Sequence, residues 1–135
     1  MAYVLDTDTC IFLINRKRGY EAILRRLDGL RYGEVLLSAI TLAELRYGVA
    51  KSRYRGKNDK ALDEFILPLE VLPFDEDATK SYGEIRAALE KAGTPIGSMD
   101  LMIAAHAASL DMTLVTNNTR KFSRVSGLKV ADWTI

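Results

Sequence analysis

The chain has 135 residues, of which 48% are hydrophobic and 27% charged, and 19 Lys and Arg against 18 Asp and Glu leave a net charge of +1. This length and composition predict one globular domain spanning residues 1–135, and they exclude a disordered chain and a globally basic nucleic-acid binder. The single cysteine excludes an internal disulfide framework and a multi-cysteine zinc site.

Short apolar or β-branched runs alternate with longer helical patterns along the chain. The runs predict strands at Tyr3–Leu5, Val35–Ser38, Leu69–Leu72, Thr113–Thr116 and Leu128–Val130. The patterns between them predict helices near Cys10–Asn15, Tyr20–Leu30, Leu42–Ser52, Lys60–Ile66, Glu76–Ala92 and Asp100–Ser109. Such alternation is typical of an α/β layer fold with a mainly parallel sheet. The most linker-like stretch, Arg53–Asp59, is interpreted as a loop inside a helical hairpin.

Asp6 directly follows the first predicted strand, and Asp8 comes two residues later. An apolar signal peptide would not carry these acids, and no run of about 20 apolar residues occurs in the chain, so we expect a cytoplasmic protein without a membrane partner. In open parallel sheets the carboxyl ends of strands are where ligands bind, which makes Asp6 a candidate site residue. The structural alternative is that Asp6 or Asp8 caps the next helix.

Glu44 follows the second predicted strand and lies three residues after Thr41. Thr-x-x-Glu is the pattern of a capping box, in which the glutamate binds the threonine amide, and this structural interpretation competes with a functional one. The functional interpretation is that Glu44 reaches the same sheet edge as Asp6.

The segment Leu101–Ala108 is apolar nearly all round, which predicts a buried helix. Ser98 is predicted to cap this helix, which places Asp100 in its first turn, where a carboxylate suits the helix dipole. Charge beside a buried element nevertheless costs free energy unless something compensates it, so Asp100 is also a site candidate. His106, the only histidine, lies six residues further on and is interpreted as a packing residue, like Cys10.

Asn118 follows the fourth predicted strand at the same sheet edge as the acids. Its side chain can ligate a metal or hold a water, or it can simply form the turn. Three basic clusters lie elsewhere in the sequence, and each is either a phosphate contact or a solvated helix end. They are Arg16–Arg18, the cations between Lys51 and Lys60, and Arg120 with Lys121 and Arg124.

Asp6, Glu44 and Asp100 all stand at strand-to-helix transitions or helix starts, so a parallel sheet would gather them on one edge. Three converging carboxylates repel one another unless a cation is present, and Mg²⁺ or Mn²⁺ prefers such oxygen ligands. A metal held there can bind a phosphate oxygen and activate a water, which is the chemistry of phosphodiester hydrolysis.

A phosphatase is the chemical alternative. Asp6-Thr7-Asp8 after an apolar strand resembles the first motif of haloacid-dehalogenase-type phosphatases, with Cys10 at a Thr or Val position. The later lysine and acidic pair that such an aspartate nucleophile requires are not found in a convincing arrangement. With one histidine, a Ser-His-Asp triad and a two-histidine ribonuclease are unattractive, and no glycine loop for a nucleotide phosphate is present.

The whole chain resembles the VapC-type toxins of bacterial toxin–antitoxin pairs, which carry the PIN domain. The segments that carry the resemblance are YVLDTDTCIFLIN, SAITLAELRYGVAKS, IGSMDLMIAAHAASL, TLVTNNTRKF and GLKVADW. The resemblance implies a three-layer α/β fold around a mainly parallel sheet and a Mg²⁺-dependent endoribonuclease that often cuts tRNA. It also implies a cognate VapB-like antitoxin, a homodimer and a toxin–antitoxin hetero-oligomer.

Carried over by position, Asp6, Glu44 and Asp100 match the acidic site residues of the family, with Asp6 and Asp100 as the principal metal ligands. Asn118 falls where many relatives carry Asp. Lys121 stands where close relatives usually have Glu or Asp, so a second metal ion is in question and Lys121 can serve instead as a phosphate contact. This departure leaves open a catalytically weak or inactive interaction protein as a second functional class.

Overall fold

A computed structural model describes residues 2–135 of the chain. In that range five strands form one parallel sheet in the order β3-β2-β1-β4-β5. The strands are β1 (Tyr3–Leu5), β2 (Val35–Ser38), β3 (Glu70–Leu72), β4 (Thr113–Val115) and β5 (Val130–Ala131). The α/β fold with a central parallel sheet is therefore confirmed.

Seven helices accompany these strands in the described range. They are α1 (Thr7–Ile14), α2 (Tyr20–Asp28), α3 (Ala39–Ala50), α4 (Arg55–Ile66), α5 (Glu76–Lys91), α6 (Ser98–Ser109) and α7 (Thr119–Phe122). No helix within residues 2–135 is long and apolar enough to cross a membrane.

Helices α1, α3 and α7 each begin within a few residues of a strand end, because a polar side chain caps them there. Asp6, Ser38 and Asn118 accept hydrogen bonds from backbone amides in the first turns of α1, α3 and α7. β1 lies between β2 and β4 in the sheet, with Tyr3 opposite Val35 and Thr113. The carboxyl ends of three neighbouring strands therefore deliver three helix starts to one edge.

Helices cover both faces of the sheet, as the alternation within β1 shows. Leu5 packs into one buried cluster with residues of α1 and α3, and its neighbour Val4 packs into a second cluster with Ile103 of α6 and Phe122 of α7. Parallel strands are normally buried on both faces in this way. The result is three layers, helices–sheet–helices, with the polar strand ends left at the rim.

Two local predictions are wrong. Residues 53–59 are not all loop, because α4 begins at Arg55, where ion pairs from Arg46 to Asp59 and Asp63 brace the helix at 3.2 and 2.9 Å. Ser98 does not cap α6, because the helix begins at Ser98 itself and Gly97 holds the extended backbone of the cap position.

Candidate active site

The centre of the sheet edge is Asp6, immediately after β1. Its amide donates to the carbonyl of Val115 at 3.0 Å, and its Oδ1 accepts from the amide of Thr9 at 2.8 Å. The capping role considered for Asp6 is therefore confirmed. It does not exclude a second role, because a carboxylate has further lone pairs that can bind a cation.

Burial sets the electrostatics of Asp6, whose exposed fraction is only 2%. This burial raises the pKa of the Asp6 carboxyl above its ordinary 3.8, and the negative charge of Asp8 adds to the increase. Hydrogen bonds from Thr116 and Thr9 act in the opposite direction without cancelling it. The ionised form of Asp6 therefore needs a positive charge beside it.

Glu44 reaches the edge from α3. Its Oε1 accepts a hydrogen bond of 2.6 Å from the hydroxyl of Thr7, the residue next to Asp6. The capping-box interpretation is wrong, because α3 begins after Ser38 and the buried Thr41 lies inside the helix rather than at its start. Glu44 is half-buried and stands at the rim of an apolar cleft of about 270 Å³ between α1, α3 and α4.

Asp100 lies in the first turn of α6, as predicted, and is paired with a cation. The ammonium of Lys121 donates to Asp100 Oδ2 at 2.7 Å, and the two side chains are 32% and 31% exposed. The hydrogen bond to Asp100 raises the pKa of Lys121, and the charges of Asp100, Asp8 and Asp6 add to that increase against the effect of burial. One ammonium thus lies in the field of three carboxylates from two segments, the start of α1 and the start of α6.

Asn118 positions the short helix that carries this lysine. Its backbone amide donates to Thr116 Oγ1 at 2.9 Å, and its Oδ1 accepts from the backbone amide of Lys121 at 3.4 Å, so it caps the four-residue helix α7. The structural role of Asn118 is thus to cap a helix rather than to form a left-handed turn, since its φ is −107°. We call Asp6, Glu44, Asp100 and Lys121 the acidic edge.

His106 and Cys10 are packing residues, as predicted. His106 is 2% exposed, its Nδ1 shares a 2.7 Å hydrogen bond with Ser38 Oγ, and its ring meets Phe74 edge-on at 5.4 Å. Burial lowers the pKa of His106, which favours a neutral ring. Cys10 is fully buried, and burial raises the pKa of its thiol well above 9.0, which makes it a poor nucleophile.

The side chains of the acidic edge suit a divalent cation, although they do not form a ready cage. Within residues 2–135, no three His, Cys, Asp or Glu side chains lie close enough to hold one ion. Mg²⁺ does not need such a cage, because it is commonly held by one or two carboxylates and keeps several waters. Asp6 is a buried carboxyl whose ionised form a cation would stabilise, and Asp100 already binds the cation of Lys121.

Sequence reasoning did not single out Thr7, or Thr116 as a partner of Asp6. Thr7 donates a hydrogen bond to Glu44, and Thr116 donates one to the Asp6 carboxyl. Hydrophobic periodicity gives no indication of either contact. Only their positions could have indicated them, because each threonine lies just after a strand, close to a predicted site residue.

Comparison with known proteins agrees with this fold and edge. The family model for the PIN domain matches residues 3–128. The chain is 41% identical over 134 residues to the tRNA(fMet)-specific endonuclease VapC of Shigella flexneri, covering 99% of each chain. It is 40% identical over 134 residues to ribonuclease VapC2 of Rickettsia felis, covering 98% of each. The crystal structure of DNA-bound VapBC from Salmonella typhimurium superposes with a TM-score of 0.93 at 43% identity, covering 98% of each chain.

Proposed function

The chain belongs to the PIN-domain family, in its VapC ribonuclease branch, and we propose that it is a Mg²⁺-dependent endoribonuclease whose active site is the acidic edge. The observation that carries this site assignment is Asp6, a carboxyl that is 2% exposed and whose burial raises its pKa. Capping α1 uses one of its oxygens, and a bound cation would compensate the cost of burying the ionised group.

The substrate and partners follow from the relatives. A relative that matches nearly the whole chain is named for its action on tRNA(fMet), and related chains occur in VapBC complexes. We infer that tRNA is the substrate, that a VapB-like antitoxin is the cognate partner, and that the toxin forms a homodimer and a hetero-oligomer with it. Residues 1–135 would act as one PIN domain in the cytoplasm.

Asp6 and Asp100 would hold the metal, with Mn²⁺ able to replace Mg²⁺. When bound, the ion supplies positive charge to a phosphate oxygen and increases the acidity of a coordinated water. Asp6 and Asp100 fix the place of that charge, because the first is anchored by Thr9 and Thr116 and the second by its position at the start of α6.

Glu44 is the proposed base. Thr7 donates to one of its oxygens, which orients the carboxylate and leaves the other oxygen able to accept a proton from the attacking water. The water would attack phosphorus in line with the leaving ribose oxygen, the P–O bond to that oxygen would break, and the leaving oxygen would take a proton from solvent water. Lys121, whose ammonium lies beside Asp100, would contact the non-bridging phosphate oxygens.

The Lys121–Asp100 ion pair favours a second candidate, an inactive PIN-like protein that only binds a partner. In that case the ammonium permanently replaces the metal at Asp100. The two candidates differ in one measurement, since a binder releases no RNA product that depends on Mg²⁺. An aspartate-nucleophile phosphatase would instead turn over p-nitrophenyl phosphate through Asp6 with the help of Asp8, which is exposed.

The test is cleavage of total tRNA by purified protein, with Mg²⁺ and then with EDTA. We expect Asp6→Asn and Asp100→Asn to lower the cleavage rate by about 1,000-fold or more, because each removes charge from the metal site. Asp111→Asn is the matched control, since Asp111 is exposed and pairs with Lys129 away from the edge. Wild-type cleavage in EDTA, or by either site variant, contradicts the proposal.

A further inference from the structure

The charge of this chain is concentrated in one segment. Residues 46–60 contain six basic residues and one acidic residue, a net charge of +5, and because the whole chain carries +1 the other 120 residues carry −4. The basic residues are Arg46, Lys51, Arg53, Arg55, Lys57 and Lys60, and the acidic residue is Asp59. A solvated helix surface normally mixes both signs, so this separation indicates an anionic partner.

The segment forms the tip of a helical hairpin, which we call the basic hairpin. It comprises the last part of α3, the turn at residues 51–54 and the first part of α4. Arg46 is bound by Asp59 and Asp63. Among the residues that the structure describes, the other five cations of the hairpin form no ion pair, and all five are exposed.

Two tyrosines stand among these cations. Tyr47 and Tyr54 are 65% and 63% exposed, which is unusual for side chains of this size. The ammonium of Lys51 lies 4.9 Å from the centre of the Tyr47 ring, and the guanidinium of Arg53 lies 5.8 Å from that of Tyr54. An exposed ring beside a free cation offers a base a surface for stacking and its phosphate a counter-charge.

The basic hairpin is continuous with the acidic edge through α3. Glu44, Tyr47 and Lys51 lie at positions i, i+3 and i+7 and so share one face of that helix. Seven residues of helix span about 10 Å. A cleft of about 610 Å³ opens on the hairpin between the tyrosine and α4, lined by Tyr47, Arg55 and Gly56 among others.

We propose that the basic hairpin is a binding surface for single-stranded RNA, which stacks unpaired bases on Tyr47 and Tyr54 and places its phosphates on Lys51, Arg53 and Arg55. The inference rests on the proposed function, since the bound strand is the one whose phosphodiester enters the acidic edge. Aromatic stacking requires bases that are not enclosed in a duplex, which is why the surface fits a loop or an end rather than a paired stem.

The experiment measures RNA affinity separately from cleavage. Fluorescence anisotropy of a labelled 12-nucleotide single strand, and of the matching duplex, is recorded with Asp6→Asn protein in EDTA, so that no RNA is cut. In that background, Tyr47→Ala with Tyr54→Ala and, separately, Arg53→Gln with Arg55→Gln are each expected to raise the Kd for the single strand about tenfold or more. The unmodified background is expected to prefer the single strand to the duplex.

The controls change matched residues outside the hairpin. Arg25→Gln with Arg26→Gln removes two exposed charges in the last turn of α2, and Tyr32→Ala removes a tyrosine that is 71% exposed. Both variants are expected to leave the Kd within about twofold, because none of these side chains lies on the hairpin. Thermal unfolding confirms that every variant is folded.

The outcomes separate the two proposals. If hairpin and control variants bind RNA equally well, the hairpin proposal is overturned, and Asp6-dependent cleavage still supports the nuclease. If the hairpin variants bind RNA normally but lose the dimer or an antitoxin complex, the surface belongs to a protein partner and the proposal is also overturned. The nuclease proposal fails separately, if the wild type shows no metal-dependent cleavage of RNA.

Discussion

Helix α3 joins the acidic edge, to which it contributes Glu44, to the basic hairpin, and the two regions hold their charges in opposite ways. At the edge, Asp6 is anchored by Thr9 and Glu44 by Thr7. On the hairpin, Lys51 and Arg53 are exposed and lie beside the rings of Tyr47 and Tyr54. Chemistry needs groups fixed to within a fraction of an ångström, whereas attraction of a polyanion needs only a field. The contrast predicts that the two regions control different constants of one reaction.

The contrast also has an energetic side. A buried carboxyl without a partner cation destabilises the folded state, so the edge is maintained against stability. Exposed lysines and arginines cost little, since water solvates them in the folded and unfolded states alike. A substitution at the edge should therefore change both the rate of cleavage and the stability of the fold, and substitution of an exposed hairpin cation such as Arg53 should change neither.

The largest expected effect is a split between kcat and KM. Glu44→Gln keeps an acceptor for the Thr7 hydroxyl but cannot take a proton from water, so kcat should fall by about 100- to 10,000-fold while the Kd for RNA stays unchanged. Arg53→Gln with Arg55→Gln should instead raise KM and leave kcat within about twofold. Single-turnover kinetics with excess protein measures both. Equal losses in kcat from both variants would remove the distinction between the regions.

Salt dependence gives the next largest effect. Each phosphate contact on a single strand contributes a slope of about −0.7 to log K against log salt. Removing the charges of Lys51, Arg53, Arg55 and Lys57 should therefore make the slope less negative by up to about 2.8. When the salt is raised from 50 to 200 mM, the fold-loss of affinity in this variant should be smaller than that in the parent protein by a factor of up to about 50. Anisotropy titrations at four salt concentrations measure this. An unchanged slope would mean that phosphates bind elsewhere.

Lys121 is the exception in this comparison, because it is a cation that lies inside the acidic edge. A metal at Asp100 must displace its ammonium from Oδ2, where it now lies at 2.7 Å. Lys121→Met removes this competition, and we expect Mg²⁺ or Mn²⁺ to bind the metal-free protein about fivefold more tightly, as expected for loss of a partly exposed ion pair worth about 1 kcal/mol. Isothermal titration calorimetry without RNA measures it.

Arg120→Met is the matched control for Lys121, since Arg120 is the exposed neighbour in the same short helix. Its metal affinity should equal that of the parent protein. Weaker binding by Lys121→Met would show that the lysine supports the site rather than competes for it. A Lys121→Met protein that still binds no metal would favour the partner-binding alternative.

How much the sequence could predict differs between the two regions. Topology alone placed Asp6 and Asp100 at one edge, because residues after parallel strands and at helix starts gather there whatever the packing. The Lys121–Asp100 contact lies beyond periodicity, since α7 is only four residues long and gives no helical pattern. The first turn of α4 was missed because Gly56 and Asn58 are weak helix formers, and the ion pairs of Arg46 that stabilise it join two helices.

Glu44 illustrates a different limit. Thr41-x-x-Glu44 fits a capping box by spacing, yet Ser38 starts the helix three residues earlier and leaves the glutamate free to meet Thr7. A local pattern specifies which bond is possible, and the tertiary contact decides which one forms. The sequence therefore indicated where these side chains lie along the fold and did not indicate which partners they meet.

The smallest expected effect is on stability, and it tests whether the buried charge of Asp6 destabilises the folded protein. Burial raises the pKa of Asp6 in the folded protein above its ordinary 3.8. The free energy of unfolding is therefore highest below that pH and falls as the pH rises from 3.8 to the raised pKa. Asp6→Asn cannot ionise and still caps α1. In EDTA we therefore expect the variant to have the higher Tm near neutral pH, by a few degrees, with the difference disappearing toward pH 4.

Mg²⁺ should raise the Tm of the wild type alone and narrow the difference, because the ion binds only the folded carboxylate. Asp111→Asn should show no pH-dependent difference. A wild type that remains more stable than Asp6→Asn across this range in EDTA would mean that the edge needs no cation.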